Sequence, residues 1–394
     1  MRGGQTEAAA PVASLLEFDG VSATFPGMAR PAVDDFTLTV PAGKVVVLVG
    51  PSGCGKTTAM KMVNRLVEPS GGEIRIDGER VTSRRPAELR RGIGYVIQQV
   101  GLLPHLTVAA NVATVPRLLG WNRDRIRTRV DELLELTGLP PAEYRDRYPA
   151  QLSGGQQQRV GLARALAADP PVMLMDEPFS AVDPITRERL QNDFLDLHRA
   201  APKTVVFVSH DIDEAVKMAD LIAVMRDGRL VQCAPAVELL RNPVDEFVAD
   251  FVGADRALKA LGIAQVNEVE LQPAPTLIAG SRGAAAAELL AEGRLRPIAE
   301  SVLVTDESGQ PIGWLPVGEI RVDAPVPVPG SGRPGPVVDR DATLRDALSV
   351  LLGASADRAL VVDGRAAVLG VLELDDILAH ATAQSEPAPR RSHA

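Results

Sequence analysis

Gly50-Pro-Ser-Gly-Cys-Gly-Lys-Thr57 has the glycine, lysine and hydroxyl spacing of a phosphate-binding loop. Gly50, Gly53 and Gly55 let backbone N–H groups curl around a phosphate chain, with Pro51, Ser52 and Cys54 between them. The loop follows the apolar run KVVVLV and opens a helical pattern through Thr58, where a helix N-terminus favours an anion. Lys56 would reach the β- and γ-phosphates of a nucleotide, and the Thr57 hydroxyl would ligate Mg²⁺. A second apolar run, Val172-Met-Leu-Met, ends in Asp176 and Glu177. Asp176 suits holding Mg²⁺, usually through water, and Glu177 suits polarising an attacking water as general base. Cys54 reads as a filler whose backbone does the work, although an alkylating reagent there would block nucleotide entry.

Leu152-Ser-Gly-Gly-Gln156 precedes a helical pattern at Gln157–Ala168. A serine hydroxyl and bare glycine N–H groups at a helix start make a second anion site; the plainer alternative is a polar turn in which Ser153 caps the helix. Together with the phosphate loop and the acidic strand end, this run resembles the signature of the ABC ATPase family. The resemblance implies ATP and Mg²⁺ as ligands and ATP hydrolysis as the reaction. It also implies that Ser153, Gly154, Gly155 and Gln156 serve the nucleotide of an opposite subunit. Three further positions match the family's pattern: Gln98 as the glutamine that contacts Mg²⁺ and the attacking water, His210 as the switch histidine at the γ-phosphate, and Asp183 in SAVD as the residue that communicates across the dimer. Phe25 stands where the family places an aromatic that stacks on adenine, and a core phenylalanine is the alternative there.

These residues need a scaffold that ends several buried strands at one edge. Strands predicted at 15–18, 36–40, 44–49, 73–76, 93–97, 172–175 and 204–209 alternate with helical patterns, which predicts an α/β fold with a mainly parallel sheet. The runs VVVLV, VMLM and VVFV suggest strands buried on both faces. Residues 108–119 and 123–137 show helical periodicity, so a helical subdomain is predicted at about 99–153. Strands at 221–225 and 229–233 turn at Asp227-Gly228 as a hairpin. The fold class expected is thus an ABC-type P-loop NTPase over residues 15–253, with tails at 1–14 and 384–394.

Beyond a linker at 254–275, two similar units of about fifty residues follow, at 276–323 and 337–383, separated by a Pro/Gly-rich segment at 324–336. Their strand pairs, LVTDESGQPIGWL and LVVDGRAAVLGVL, resemble tandem CBS modules, an α+β arrangement of strand, helix, two strands and helix. Nucleotide-binding CBS modules often carry a Thr or Ser hydroxyl at the last strand; Gly370-Val-Leu-Glu-Leu-Asp-Asp376 has Glu373 in that place, and Glu319 ends the corresponding run of the first unit. An acid beside a phosphate is repulsive, which argues against ordinary AMP or ATP binding there. The resemblance implies instead a sensor of ionic strength or of a cyclic dinucleotide, with a purely dimer-bracing role as the alternative.

A net charge of −9, with the acid excess greater after Ala254, argues against a nucleic-acid binder with a basic face. Cys54 and Cys233 form no metal or disulfide framework. No stretch approaches the roughly 18 consecutive apolar residues that span a bilayer. ABC ATPases with a CBS pair resemble the quaternary-amine importers for glycine betaine, choline, carnitine or proline, and MKMVNRLVEPSGGEI and IGYVIQQVGLLPH are similar to that subgroup. The resemblance implies a homodimer or a pair with a paralogue, two membrane permease subunits, an extracytoplasmic solute-binding protein, and a place on the cytoplasmic face of the membrane. The candidate permease surface is 98–108 with Leu102, Leu103 and Leu106, unless these leucines fill their own subdomain. An importer for another small solute, or a soluble ABC ATPase without a transport role, are the alternatives.

Overall fold

The apolar runs of the first half become interior strands, as a computed structural model describes for residues 13–97, 101–180, 182–293, 297–298, 300–329 and 335–382. The chain divides into two units: the first runs to Leu239 and takes in Pro243–Phe251, and the second is Leu240–Asn242 with Val252 onward. The first begins with Leu16–Ala23 (β1), Val33–Val40 (β2), Val45–Val49 (β3), Lys56–Val63 (α1), Gly71–Ile76 (β4), Glu79–Arg80 (β5), Pro86–Arg91 (α2) and Ile93–Val96 (β6). Four short or medium helices follow: Val108–Val112 (α3), Thr114–Leu118 (α4), Arg123–Leu136 (α5) and Pro141–Tyr144 (α6). Gly154–Leu166 (α7), Val172–Asp176 (β7), Pro184–Ala200 (α8), Thr204–Val208 (β8), Ile212–Met218 (α9), Leu221–Arg226 (β9) and Arg229–Ala234 (β10) complete its sheet.

Six strands run in the order β10-β9-β3-β8-β7-β6. All neighbours are parallel except β9 and β10, a hairpin through Asp227 and Gly228 at φ 51° and 83°. The strands β3, β7 and β8 are buried at every residue, as unbroken β-branched and apolar runs require when helices cover both faces. The expectation of one mainly parallel sheet needs a correction. Strands β1, β2, β4 and β5 form a separate antiparallel sheet in the order β2-β1-β4-β5. Their buried and solvent-facing residues alternate, because only one face meets the core. Phe18 and Phe36 meet edge to face at 5.2 Å within that core, beside Leu48, Met60 and Met62. Ser14, read as tail, is buried, and its carbonyl accepts the Thr204 hydroxyl.

The single helix expected at 108–119 is broken at Ala113 into α3 and α4. Pro116 has no N–H to return to Val112, which interrupts the ladder there. Helix α7 starts three residues earlier than the periodicity suggests, because Ser153 and Gln156 form a capping box that draws both glycines into the first turn.

In the second unit, Ala236–Arg241 (α10) contributes its end, and Glu246–Val252 (α11) leads in. The segment expected as linker contains Arg256–Leu261 (α12), and Leu261, Ala264 and Val266 are buried against Val338, Leu344 and Val361. It is part of a core because its apolar residues fit the face of the second repeat. Each repeat then forms a three-stranded sheet of identical pairing. In Thr276–Ile278 (β11), Ser301–Thr305 (β12) and Pro311–Pro316 (β13) the first pair is parallel and the second antiparallel, as in Val337–Asp339 (β14), Arg358–Val362 (β15) and Val368–Glu373 (β16). Gly283–Ala291 (α13) and Leu344–Ala354 (α14) follow the first strand of each, and Leu374–Thr382 (α15) ends the second. The first repeat ends instead in a single 3₁₀ turn at Val317–Glu319. Leu303, Leu360 and Val371 share a small core with Trp314 where the two repeats meet. Of the tails, residues 1–12 and 383–394 lie outside the described residues, as do 330–334 of the Pro/Gly-rich segment.

Truncating Leu261 to Ala removes a fully buried side chain and is expected to destabilise the second unit by about 2–5 kcal/mol. Denaturant titration followed at Trp314, in a Trp121→Phe background, should show the midpoint fall; an unmoved midpoint would make 254–275 a connector after all.

Candidate nucleotide-binding site

The loop after β3 is shaped by contacts that no side chain could share. Gly50 has φ 147°, and a Cβ there would lie 2.2 Å from the Met225 carbonyl oxygen. Gly55 has φ 105°, and its Cβ would lie 2.4 Å from the Ala32 carbonyl oxygen. Only glycine lets the backbone turn this tightly toward its neighbours. Lys56, the first residue of α1, is buried and folds its ammonium back onto the loop, donating to the Gly50 carbonyl at 2.6 Å and the Pro51 carbonyl at 3.0 Å. The Cys54 thiol lies 3.8 Å from the same ammonium and is buried.

A cavity of about 550 Å³ opens over this loop, lined by Ser52 through Thr58 together with Ala32, Glu177 and His210. Asp176 ends β7, buried, and its carboxylate accepts the Thr57 hydroxyl at 3.0 Å. Burial pushes its pKa up, while the Thr57 hydrogen bond and the ammonium groups of Lys61 and Lys56 oppose that rise. Glu177 has a left-handed φ of 46°, a conformation that costs a non-glycine residue about 1–3 kcal/mol. Its N–H is held by the Val208 carbonyl at 3.0 Å, which turns the side chain out of the sheet edge. There Glu177 Oε1 lies 3.3 Å from His210 Nδ1, on an imidazole that is 62% exposed. Residues from three strand ends thus meet around one space.

Other expected site residues lie elsewhere. Ser153 caps α7, its hydroxyl accepting from Gln156 N–H while Gln156 Oε1 accepts from Ser153 N–H at 2.9 Å. Gly154 and Gly155 occupy the first turn, and a Cβ on Gly154 would meet nothing within 4 Å. None of these four lines the cavity over Lys56. Asp183 caps α8 by accepting Thr186 N–H at 3.0 Å, and hydrogen bonds from the Thr186 amide and hydroxyl hold its carboxyl below the usual range. Phe25 is exposed on the loop after β1, so it is not a core residue, and it does not line the cavity. Gln98 lies outside the described residues.

Residues 33–180 match the family model described as ABC transporter, and residues 331–382, the second repeat, match the CBS domain. The osmoprotectant import ATP-binding protein OsmV of Salmonella typhimurium is 50% identical over 296 residues, covering 75% of this chain and 76% of that one. The glycine betaine/carnitine/choline transport ATP-binding protein OpuCA of Bacillus subtilis is 47% identical over 304 residues, covering 77% and 78%. The chain belongs to the ATP-binding subunits of ABC transporters. Among solved structures, the dimeric bacterial ABC transporter cassette MJ0796 superposes with a TM-score of 0.52 at 33% identity, over 56% of this chain and 98% of that one. A post-hydrolysis state of the same cassette, bound to ADP and Pi, gives 0.51.

This ABC ATPase also uses residues that carry no motif. Ala32 lines the cavity and supplies the carbonyl that Gly55 must clear. Asn111 is fully buried in α3, where its side chain exchanges hydrogen bonds with Leu103 at 2.8 and 3.1 Å and donates to the Leu106 and Thr107 carbonyls at 3.0 Å. That clamp leaves Leu103 exposed and Leu102 and Leu106 half-buried, a mixture of the two readings of this loop. Glu214 accepts from Gln191 at 3.1 Å and from the Ser209 hydroxyl. Polar residues such as the buried Asn111 and the half-buried Glu214 look like surface ones in a sequence.

Gly55→Ala would drive a methyl group into the Ala32 carbonyl at a left-handed position. Titration with a fluorescent ATP analogue should show affinity falling by more than about tenfold, or 1.4 kcal/mol. Wild-type affinity would mean that the loop does not need this close approach.

Proposed function

We propose that this subunit hydrolyses ATP at two composite sites, each closed by a second copy or a paralogue, and powers import of quaternary-amine osmoprotectants such as glycine betaine, choline, carnitine or proline. The observation that carries the chemistry is the meeting of Glu177 and His210, 3.3 Å apart, over the cavity of the phosphate loop. The relatives named for osmoprotectant, glycine betaine, carnitine and choline transport support the solute class.

In this reading the phosphates draw Lys56 off the Gly50 and Pro51 carbonyls, exchanging two neutral acceptors for charged ones. Backbone N–H groups of the loop beyond Pro51 and of the start of α1 cradle the phosphate chain, and the exposed Phe25 stacks on adenine. Thr57 and Asp176 offer one hydroxyl and one carboxylate oxygen side by side, a donor set that fits Mg²⁺, and Gln98 would add a third ligand. When bound, Mg²⁺ neutralises charge that develops on the phosphates. Glu177 takes the proton of the attacking water, and His210 orients that carboxylate and reaches the γ-phosphate. Ser153, Gly154, Gly155 and Gln156 bind the nucleotide of the opposite subunit, with Asp183 beside the interface; the dimeric solved cassette supports that pairing.

Two membrane permease subunits and an extracytoplasmic solute-binding protein complete the proposed system, with this chain on the cytoplasmic face. No helix among the described residues is long and apolar enough to cross a membrane. The second unit would regulate the ATPase, by ligand or by ionic strength.

Glu177→Gln keeps the shape and removes the base, so kcat for ATP should fall by about 10²–10⁴-fold with ATP binding retained. Unchanged turnover would remove Glu177 from the chemistry. Uptake of labelled betaine, choline, carnitine and proline, in cells supplied with this chain and its candidate permeases, tests the solute. Transport of none of them would leave an ATPase for another solute.

A further inference from the structure

His210 is exposed, so its own side chain has little packing to return it to Glu177 after each turnover. The backbone beneath it is held instead. Ser209 is 1% exposed; its N–H donates to the Leu48 carbonyl at 3.1 Å, tying it to β3. Its hydroxyl oxygen accepts Asp211 N–H at 3.0 Å, which closes a tight turn around His210. The same hydroxyl donates to Glu214 Oε2. The other carboxylate oxygen, Glu214 Oε1, accepts from Gln191 Nε2 at 3.1 Å, and Gln191 is itself buried on α8. Arg187, one turn earlier on α8, adds a favourable charge toward Glu214. Burial nevertheless raises the carboxyl's pKa, so this anion is held at a cost in solvation.

Apolar side chains would hold α8 against α9 without that cost. What a carboxylate adds is direction: two oxygens, one committed to the histidine turn and one to α8. Asp183 caps the start of α8, so the same helix links the loop after Glu177, at its N-terminus, to the turn that carries His210, through Gln191. We propose that Glu214 is a positioning residue for ATP hydrolysis, which locks the Ser209–Asp211 turn to α8 and so fixes where His210 stands over Glu177. The proposal rests on the reading of Glu177 and His210 given above.

The test is steady-state ATPase kinetics on the full chain, with thermal melting as the check of folding. Misplacing a catalytic group by about 1 Å can cost on the order of 10²-fold, so Glu214→Ala should lower kcat by roughly ten- to a hundredfold. KM for ATP should stay within about twofold, since the phosphate loop is untouched. Glu214→Gln, which can accept from Ser209 while Gln191 flips its amide, should return kcat to within about threefold of wild type. Gln191→Leu should lower kcat as well, and the Glu214→Ala, Gln191→Leu double variant should be no slower than the slower single one, because both break one chain of bonds. Wild-type kcat in folded Glu214→Ala or Gln191→Leu, or losses that multiply in the double variant, would overturn the proposal. So would a Gln variant as slow as the Ala variant. Should Glu214→Ala not fold, Gln191→Leu and Glu214→Gln still decide. If Glu177→Gln keeps full turnover, the underlying reading fails; if it does not but Glu214→Ala is as fast as wild type, only this proposal fails.

Discussion

Two backbone approaches, Gly50 over the Met225 carbonyl and Gly55 over the Ala32 carbonyl, set the rest of the site. They bend the chain tightly at the end of β3, so that the loop closes over the start of α1 and lines the cavity with Ser52 through Thr58. The approach to Met225 works only if β9 lies beside β3, and the register Leu48↔Ala223 and Val49↔Val224 places it there. The sheet order is therefore a requirement of the loop as much as its support. Strand β8, on the other side of β3, delivers Ser209 and His210 to the same edge, and β7 beyond it delivers Asp176 and Glu177. Buried strands with apolar interiors make this possible. In β3, β7, β8 and β9 the polar residues fall at or beyond the strand ends, and the four ends point the same way because these strands are parallel.

Charge is arranged around that edge in a self-satisfied form. Lys56 donates to loop carbonyls, Asp176 accepts from Thr57, and Glu177 stands by His210, so few charges face the cavity unpaired. A ligand must replace each of these bonds with a stronger one. A triphosphate with a divalent cation does so, because anionic oxygens outcompete carbonyls for an ammonium and a cation outcompetes a hydroxyl for a buried carboxylate. The left-handed Glu177 fits the same logic. Its strain aims a carboxylate at the cavity and is held by Val208, an interaction within the sheet that no ligand disturbs.

Much of this was legible in the sequence because it is local. A phosphate loop, a capping box and a strand ending in two acids are each written in consecutive residues, and Lys56, Thr57, Asp176, Glu177 and His210 do converge. What was not legible depends on partners far along the chain. The alternation in β1 and β2 shows one buried face but not which sheet they join. Leu261 and Val266 look like connector residues until Val338 and Leu344 are beside them. Asn111, Gln191 and Ser209 are polar letters whose burial only the fold reveals. Pro116 is a different case, since its missing N–H is visible in the sequence and the break in the helix follows from it.

The second repeat raises the same question of local against distant partners. Glu373 alone argues against a phosphate at the end of β16, but it stands directly across from Arg358, whose pKa is raised first by its hydrogen bond with Asp357 and also by the charge of Glu373. The guanidinium is held by Asp357 at 3.0 Å, so it is not free to offset an incoming anion. Glu373 N–H donates to Asp376, which occupies the first amide of that helix start as well. A phosphate at this end would have to displace two carboxylates from donors they already hold. An acid in place of a hydroxyl thus joins Asp357 and Asp376 around the single guanidinium of Arg358 and leaves that cluster net negative. A ligand for this unit would be recognised more readily by sheet and helix surfaces away from the β16 end than by that helix N-terminus.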